Sequence, residues 1–128
     1  MRAIALRLLP AVAWLAAILA VSSMPRSMLH FDVFAGADKV AHLGEYLVLG
    51  FLVVAGLCWG IRRAQGLFLR ASFAVPIMAI TACADEWHQR WIPGRSSEIA
   101  DLAMDLTGIL AGSVIAILVL AARRPGKR

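Results

Sequence analysis

Charged residues are scarce in this 128-residue sequence: Asp, Glu, Lys and Arg make up 16% of it, whereas 61% of the residues are hydrophobic. A soluble domain of this size has about a quarter of its residues charged, so the shortage argues against a soluble globular protein. The charges that are present separate apolar blocks. They form no basic face with interleaved aromatic residues, which argues against a nucleic-acid partner.

Cysteine is also scarce, with Cys58 and Cys83 the two in the chain. Neither belongs to a closely spaced pair of the kind that binds zinc. The topology proposed below places them near opposite faces of a membrane, too far apart for a disulfide. The sequence carries no nucleotide or coenzyme A fingerprint either, and we predict no cofactor.

Long apolar stretches, in contrast, fill most of the sequence. A helix needs about 20 residues to cross roughly 30 Å of hydrocarbon, and four blocks approach this length. Four spans leave no room for a second domain, so residues 1–128 are predicted to form a single all-α domain, a four-helix transmembrane bundle. Pro76 predicts a kink in the third helix and not a break. The blocks run from Ile4 to Val21, Val40 to Gly60, Leu67 to Ala84 and Leu102 to Ala122.

The distribution of Lys and Arg predicts the orientation of these spans. With the N-terminus in the cytoplasm, nine basic residues fall on the inner side and four on the outer side, and all eight acidic residues fall on the outer side. The positive-inside rule favours this arrangement, which places both termini in the cytoplasm. The inner residues are Arg2, Arg7, Arg62, Arg63, Arg70, Arg123, Arg124, Lys127 and Arg128.

The first block allows a second interpretation. Arg2 and Arg7 precede a short apolar stretch that ends in Val21-Ser22-Ser23, and a secretory signal peptide has the same pattern. Whether this helix is retained or cleaved stays open, although the orientation of the later spans is the same in both cases.

Polar residues converge at the predicted outer ends of the helices. Ionisable residues within or beside membrane spans are costly, so they are candidates for a functional site. At 100° per residue, the polar residues that open the second block share about a third of the helix surface, and the next two helices carry similar polar ends. We predict one outward-facing polar pocket lined by Asp38, Lys39, His42, Glu45, Tyr46, Asp85, Glu86, Gln89, Arg95, Asp101 and Asp105.

Two glycines continue the polar stripe of the fourth helix. Gly108 and Gly112 are four residues apart, and small residues at this spacing let a neighbouring helix approach closely. We therefore predict that they pack against another helix and that Asp101 and Asp105, on the same stripe, point into the bundle.

The ordered set of polar motifs resembles the VanZ-like family of small bacterial membrane proteins. The resemblance covers about residues 36–115. It implies a protein of the bacterial plasma (inner) membrane. Because the family's namesake is associated with resistance to the glycopeptide teicoplanin, it also implies a resistance-like role in the cell envelope. The phosphotransbutyrylase label that some members have carried finds no support in these residues. The motifs are Asp38-Lys39-x-x-His42-x-x-x-Tyr46, Asp85-Glu86-x-x-Gln89, Pro93-Gly94-Arg95 and Asp101-x-x-x-Asp105-x-x-Gly108.

One residue departs from the family pattern. Where the family usually has asparagine, this chain has Asp105. An amide both donates and accepts hydrogen bonds, whereas an ionised carboxylate only accepts them, so the hydrogen-bond network around Asp105 is expected to differ from that of the relatives.

Three functions remain open at this stage. The pocket could bind a lipid headgroup, a lipid-linked cell-wall precursor or a glycopeptide. Alternatively, the carboxylates and His42 could act as an enzyme on a lipid-linked or phosphate-bearing substrate, but the sequence does not decide whether the protein is an enzyme. In the third hypothesis the polar cluster only locks the helices together. No metal site is firmly predicted, and the candidate ligands for one are His42, Glu45 and Asp85. Arg95 either captures an anion or pairs with a nearby carboxylate.

Overall fold

The computed structural model describes residues 2–29, 36–61 and 63–123, and within these ranges the chain forms helices and no strand. Four of the helices are long and apolar enough to cross a membrane, which confirms the predicted fold class. The elements in chain order are α1 (Arg2–Ser22), a short 3-10 turn (Arg26–Met28), α2 (Ala37–Cys58), α3 (Ala64–Gln89) and α4 (Ile99–Ala122).

The helices extend beyond the apolar blocks at their polar ends. α2 begins at Ala37, before the apolar block that starts at Val40, and α3 continues to Gln89, past the end of its block. Within these end turns Glu86 and Gln89 are buried, Asp38 and Lys39 are partly buried and His88 is exposed. α3 also runs through Pro76 without a break.

α2 and α4 form the central pair of the bundle and pack along most of their lengths. The contact is close because glycines remove the side chains between the two backbones. A Cβ atom added to Gly108 would lie 2.5 Å from the carbonyl oxygen of Leu43, and one added to Gly112 would overlap the backbone at Leu47. The two helices therefore meet backbone to backbone at these positions.

One end of the bundle is basic. Arg7 Nη1 donates a hydrogen bond to the carbonyl of Trp59 at 3.2 Å, and Arg70 Nη1 donates to the carbonyl of Leu57 at 2.7 Å. The guanidinium of Arg123 lies 5.7 Å from the ring centroid of Trp59. Arg7 and Arg70 thus satisfy carbonyls at the C-terminal end of α2, where their positive charge is favourable for the helix dipole. Of the charges counted from the sequence, Asp32, Arg62 and the basic residues of 124–128 lie outside the described residues.

The two cysteines are free thiols. Cys58 is buried and its Sγ lies 3.7 Å from the carbonyl oxygen of Leu67, whereas Cys83 is exposed.

Candidate functional site

Polar side chains from all four helices meet at the other end of the bundle. Five acidic and amide side chains there are between 0 and 5% exposed, and His42 and Tyr46 are buried beside them. Burying such groups is costly unless they find partners, so the hydrogen bonds among them define the site. The five are Asp85, Glu86, Gln89, Asp101 and Asp105.

Asp85 is the point where three helices are tied together. Its Oδ2 atom accepts hydrogen bonds from Ser22 Oγ of α1 at 2.9 Å, Tyr46 OH of α2 at 3.4 Å and Gln89 Nε2 of α3 at 3.3 Å. Its Oδ1 atom is buried and has no partner among the described residues. One carboxylate oxygen thus serves three donors while the other stays unsatisfied.

A second buried group joins α2, α3 and α4. His42 Nδ1 lies 2.9 Å from Asp105 Oδ1 and 4.0 Å from Glu86 Oε1. The other oxygen of Glu86 accepts a hydrogen bond from the backbone N–H of Glu98 at 3.2 Å. The sequence-based metal candidates were His42, Glu45 and Asp85; in the structure, Glu86 and Asp105 stand beside His42 instead.

Lys39 joins α2 to the start of α4. Its ammonium group lies 3.3 Å from Asp38, 3.0 Å from Glu98 and 3.1 Å from Asp101. Glu98 comes directly before α4, and Asp101 lies in its first turn. A single lysine therefore neutralises part of the acidic charge gathered at this end.

The ion pair with Lys39 makes the stability contributed by Glu98 depend on pH. The hydrogen bond and positive charge of Lys39 lower the pKa of Glu98 below its usual value of 4.5. A group whose pKa is lowered on folding contributes its full stabilisation above its usual pKa. This stabilisation is lost as the pH falls through the lowered pKa. The unfolding midpoint of the wild type should thus exceed that of Glu98→Gln at neutral pH, and the gap should close below pH 4.5. Thermal unfolding in one detergent over a pH series measures this, and a gap that stays constant would contradict the assignment.

A tight turn positions Arg95 over the site. The N–H of Arg95 donates to the carbonyl of Ile92 at 3.1 Å, and Gly94 between them has a φ of 76°. Proline followed by glycine with positive φ is the signature of a type II turn. The backbone N–H of Arg26 also donates to the carbonyl of Pro93 at 3.2 Å, which holds the segment after α1 against this turn.

The guanidinium of Arg95 contacts neutral oxygens. Its three nitrogens donate to the carbonyls of Val21 at 2.9 Å and Met24 at 3.4 Å and to Gln89 Oε1 at 3.3 Å. Among the described residues no carboxylate lies within ion-pair distance of it. The side chain does pin the loop, as one sequence-based alternative proposed, but through carbonyl groups at the end of α1 and not through an ion pair.

These residues surround a cavity of about 240 Å³ that opens at the end of the bundle. A narrow recess beside it is lined by Ser22, Glu45 and Arg95. Tyr46, Asp85, Glu86 and Asp105 are not among the residues that line it; Asp85 contacts Gln89, Asp105 contacts His42 and Glu86 contacts Glu98, which do line it. The residues that line the cavity are Arg26, Asp38, His42, Gln89, Gly94, Arg95, Ser96, Glu98 and Asp101.

Three contributors to this site are not predictable from the sequence motifs. Ser22 donates to Asp85, Arg26 lines the cavity, and Trp14 Nε1 donates to the backbone carbonyl of Glu45 at 2.8 Å. Ser22 and Asp85 are 63 positions apart, and no local pattern links them. A hydroxyl at the polar end of an apolar helix was the available signal for Ser22, and it was read as part of a signal-peptide pattern.

A wider depression of about 820 Å³ lies at the basic end of the bundle. Arg63, Arg70, Gln65 and apolar residues line it, and its described lining includes no carboxylate or histidine. The larger volume therefore lacks the acid, base and ligand groups that the polar end combines.

The fold and site together define a small four-helix membrane protein with a buried ionisable cluster at one end. The VanZ/LLP1 family model matches residues 4–120, so the chain belongs to the VanZ/LLP1 family, which confirms the resemblance noted from the motifs. The match includes α1, the helix that the alternative interpretation assigned to a signal peptide. No curated protein and no solved structure matches the chain.

Proposed function

We propose that this protein binds the phosphate-bearing headgroup of a membrane amphiphile in the cavity at the polar end of the bundle. The proposal places the cavity on the outer face of the bacterial plasma membrane, at the level of the lipid headgroups. The ligand class includes phospholipids and lipid-linked cell-wall precursors.

The observation that carries the proposal is the state of Arg95. A guanidinium has five N–H donors, and three hydrogen bonds to neutral oxygens engage Arg95. Two donors remain, on a cation that lines the cavity and has no carboxylate partner among the described residues. Arginine binds phosphate through such paired donors.

The charge distribution along the bundle supports the orientation. Arg7, Arg70 and Arg123 cluster at one end beside Trp59, and the described acidic side chains lie towards the other. Trp87 and Trp91 pack edge to face at the polar end, with ring centroids 6.3 Å apart. Basic residues on the cytoplasmic side and tryptophan at both interfaces are the usual pattern of membrane proteins.

The acidic residues around the cavity restrict the ligand further. Asp38, Glu98 and Asp101 line the same space as Arg95, and they would repel a headgroup that carries only negative charge. A headgroup that has a phosphate together with amino or hydroxyl groups can pair its phosphate with Arg95 and its donor groups with the carboxylates. Lipid-linked cell-wall precursors and amino-bearing phospholipids have this mixed chemistry.

Substitution of Arg95 tests headgroup binding. We expect Arg95→Gln, which keeps donors for the carbonyls of α1 but removes the charge, to weaken binding of phosphatidylethanolamine by about 10- to 100-fold, the typical value of a hydrogen bond to a charged group. Arg90→Gln is the matched control, because Arg90 is exposed and does not line the cavity. Native mass spectrometry in EDTA, with diacylglycerol as the ligand lacking phosphate, measures the bound lipid. Equal retention of both lipids by the wild type would contradict the proposal.

The same variants test the antibiotic role that the family resemblance implies. Expression of the wild type in a susceptible Gram-positive host should raise the inhibitory concentration of teicoplanin, and Arg95→Gln should remove the increase while Arg90→Gln keeps it. An unchanged inhibitory concentration, with the protein present in the membrane, would exclude a role in teicoplanin resistance.

A further inference from the structure

The buried group behind the cavity has a geometry that headgroup binding does not explain. His42, Glu86 and Asp105 come from three different helices, and one potential ligand atom of each lies within 4.8 Å of the others. All three residues are buried. We propose that these three side chains bind one divalent cation of the borderline class, such as Zn²⁺ or Mn²⁺.

Two unsatisfied oxygens point to a missing partner at this position. Glu86 Oε1 and Asp105 Oδ2 are buried and accept no hydrogen bond among the described residues. Their residues are themselves buried: Glu86 is 4% exposed and Asp105 is fully buried. A buried carboxylate oxygen without a partner is costly. A cation between the carboxylates would supply a partner for both residues at once.

Lys39 and Arg95 do not satisfy these oxygens. Lys39 contacts Asp38, Glu98 and Asp101, and Arg95 contacts neutral acceptors. Among the described residues, His42 is the one cationic group within ion-pair distance of Glu86 and Asp105, and it carries a charge only when its imidazole is protonated. A divalent cation balances two carboxylates and leaves the imidazole neutral, which is the form that binds metals.

The distances are compatible with coordination after a small contraction. His42 Nδ1 and Asp105 Oδ1 are 2.9 Å apart. Two ligands at about 2.1 Å from a metal stand about 3.0 Å apart at right angles, as in octahedral Mn²⁺ sites, and about 3.4 Å apart in the tetrahedral arrangement of Zn²⁺. Glu86 Oε1 lies 4.0 Å from His42 Nδ1 and has to move closer by roughly 0.5–1 Å to reach such a separation.

Neighbouring groups hold the ligands in place. The backbone N–H of Glu98 binds Glu86 Oε2 at 3.2 Å, which leaves Oε1 directed towards His42. Such outer contacts orient the ligands of metal sites. His42 also lines the cavity, which gives a cation a path of entry, and three protein ligands leave a coordination position for water.

The donor set selects the class of cation. One imidazole nitrogen and two carboxylates suit Zn²⁺, Mn²⁺ and similar first-row ions. Ca²⁺ and Mg²⁺ prefer sites made of oxygen alone, so they should bind much more weakly.

Metal titration of the purified protein tests this proposal without any lipid. The protein in nonionic detergent is stripped with EDTA, dialysed and titrated with Zn²⁺ against a chromophoric chelator, and bound Mn²⁺ is followed by loss of its solution EPR signal. We expect one cation per chain. Asp105→Asn and Glu86→Gln keep the shape of each side chain and should weaken binding by more than about 100-fold, since even outer-shell changes cost about 10- to 100-fold.

The control variant removes an imidazole outside the group. His88 is exposed and contacts Ser23, so His88→Gln should leave the affinity unchanged. Unfolding midpoints show whether each variant is folded, and the cation should raise the midpoint of the wild type but not that of Asp105→Asn. No saturable binding by the wild type, or equal affinity in Asp105→Asn, would overturn the proposal.

Discussion

Gly112→Ala is expected to destabilise the bundle by about 1–3 kcal/mol, the usual cost of overpacking. The added methyl group would overlap the backbone of α2 at Leu47 and Phe51, and neither backbone can move aside without separating the central pair of helices. In an unconstrained helix the same change would be favourable by about 1 kcal/mol. Packing therefore makes Gly112→Ala destabilising, whereas helix propensity alone predicts a stabilising change.

Gly44→Ala provides the matched control. Gly44 also lies within α2, but no atom outside its own helix lies within 4 Å of an added Cβ. This variant should raise the unfolding midpoint, while Gly112→Ala should lower it. Thermal unfolding of both proteins in the same detergent measures the difference, and a stabilising effect of Gly112→Ala would show that α2 and α4 are further apart than the structure places them.

Asp85→Ala is expected to be the most destabilising change at the polar end. Three donors, on Ser22, Tyr46 and Gln89, share one oxygen of this carboxylate, and Tyr46 is fully buried. Leaving one buried donor unsatisfied costs about 1–3 kcal/mol. The losses are not additive, but the free energy of unfolding should fall by several kcal/mol. The hydrogen bonds that link α3 to α1 and α2 disappear together with the bond from Gln89 within α3.

Asp85→Asn separates the structural role of this residue from a functional one. The amide oxygen still accepts from the same donors, so this variant should recover most of the stability that Asp85→Ala loses. Denaturation in a mixed-detergent series compares the two proteins. If Asp85→Asn is stable but loses headgroup binding, the purely structural hypothesis for the cluster fails; if Asp85→Ala is as stable as the wild type, the proposed tie between the helices is wrong.

The fold could be predicted because length and hydrophobicity decide it. A chain in a membrane must satisfy its backbone groups within helices, and four apolar blocks of sufficient length leave few alternatives. The glycine spacing of α4 carried further information, because the absence of side chains at Gly108 and Gly112 has a direct consequence for helix approach. The helix ends were predicted less well, since polar end turns do not stand out from loops in an apolar profile.

The gathering of polar residues at one end of the bundle could be predicted, but not the contributions of Ser22, Arg26 and Trp14 and not the pairing within the cluster. The predicted polar residues do gather at one end, because each lies at the same end of its helix. Helix rotation then decides which carboxylate faces His42, and a rotation of 100° per residue separates Asp85 from Glu86 completely. Asp85 turns towards Tyr46 and α1, whereas Glu86 turns towards His42 and α4, and the sequence contains no signal that fixes this rotation.

The separation of a basic and an acidic end makes the protein a fixed dipole along the membrane normal. Arg7, Arg70 and Arg123 stand at one end. In a cell whose interior is negative, each elementary charge moved across the membrane is worth about 2.3 kcal/mol per 100 mV. An inside-negative membrane voltage therefore acts on the bundle as a whole, and its energy is lower when the arginine end faces the negative side.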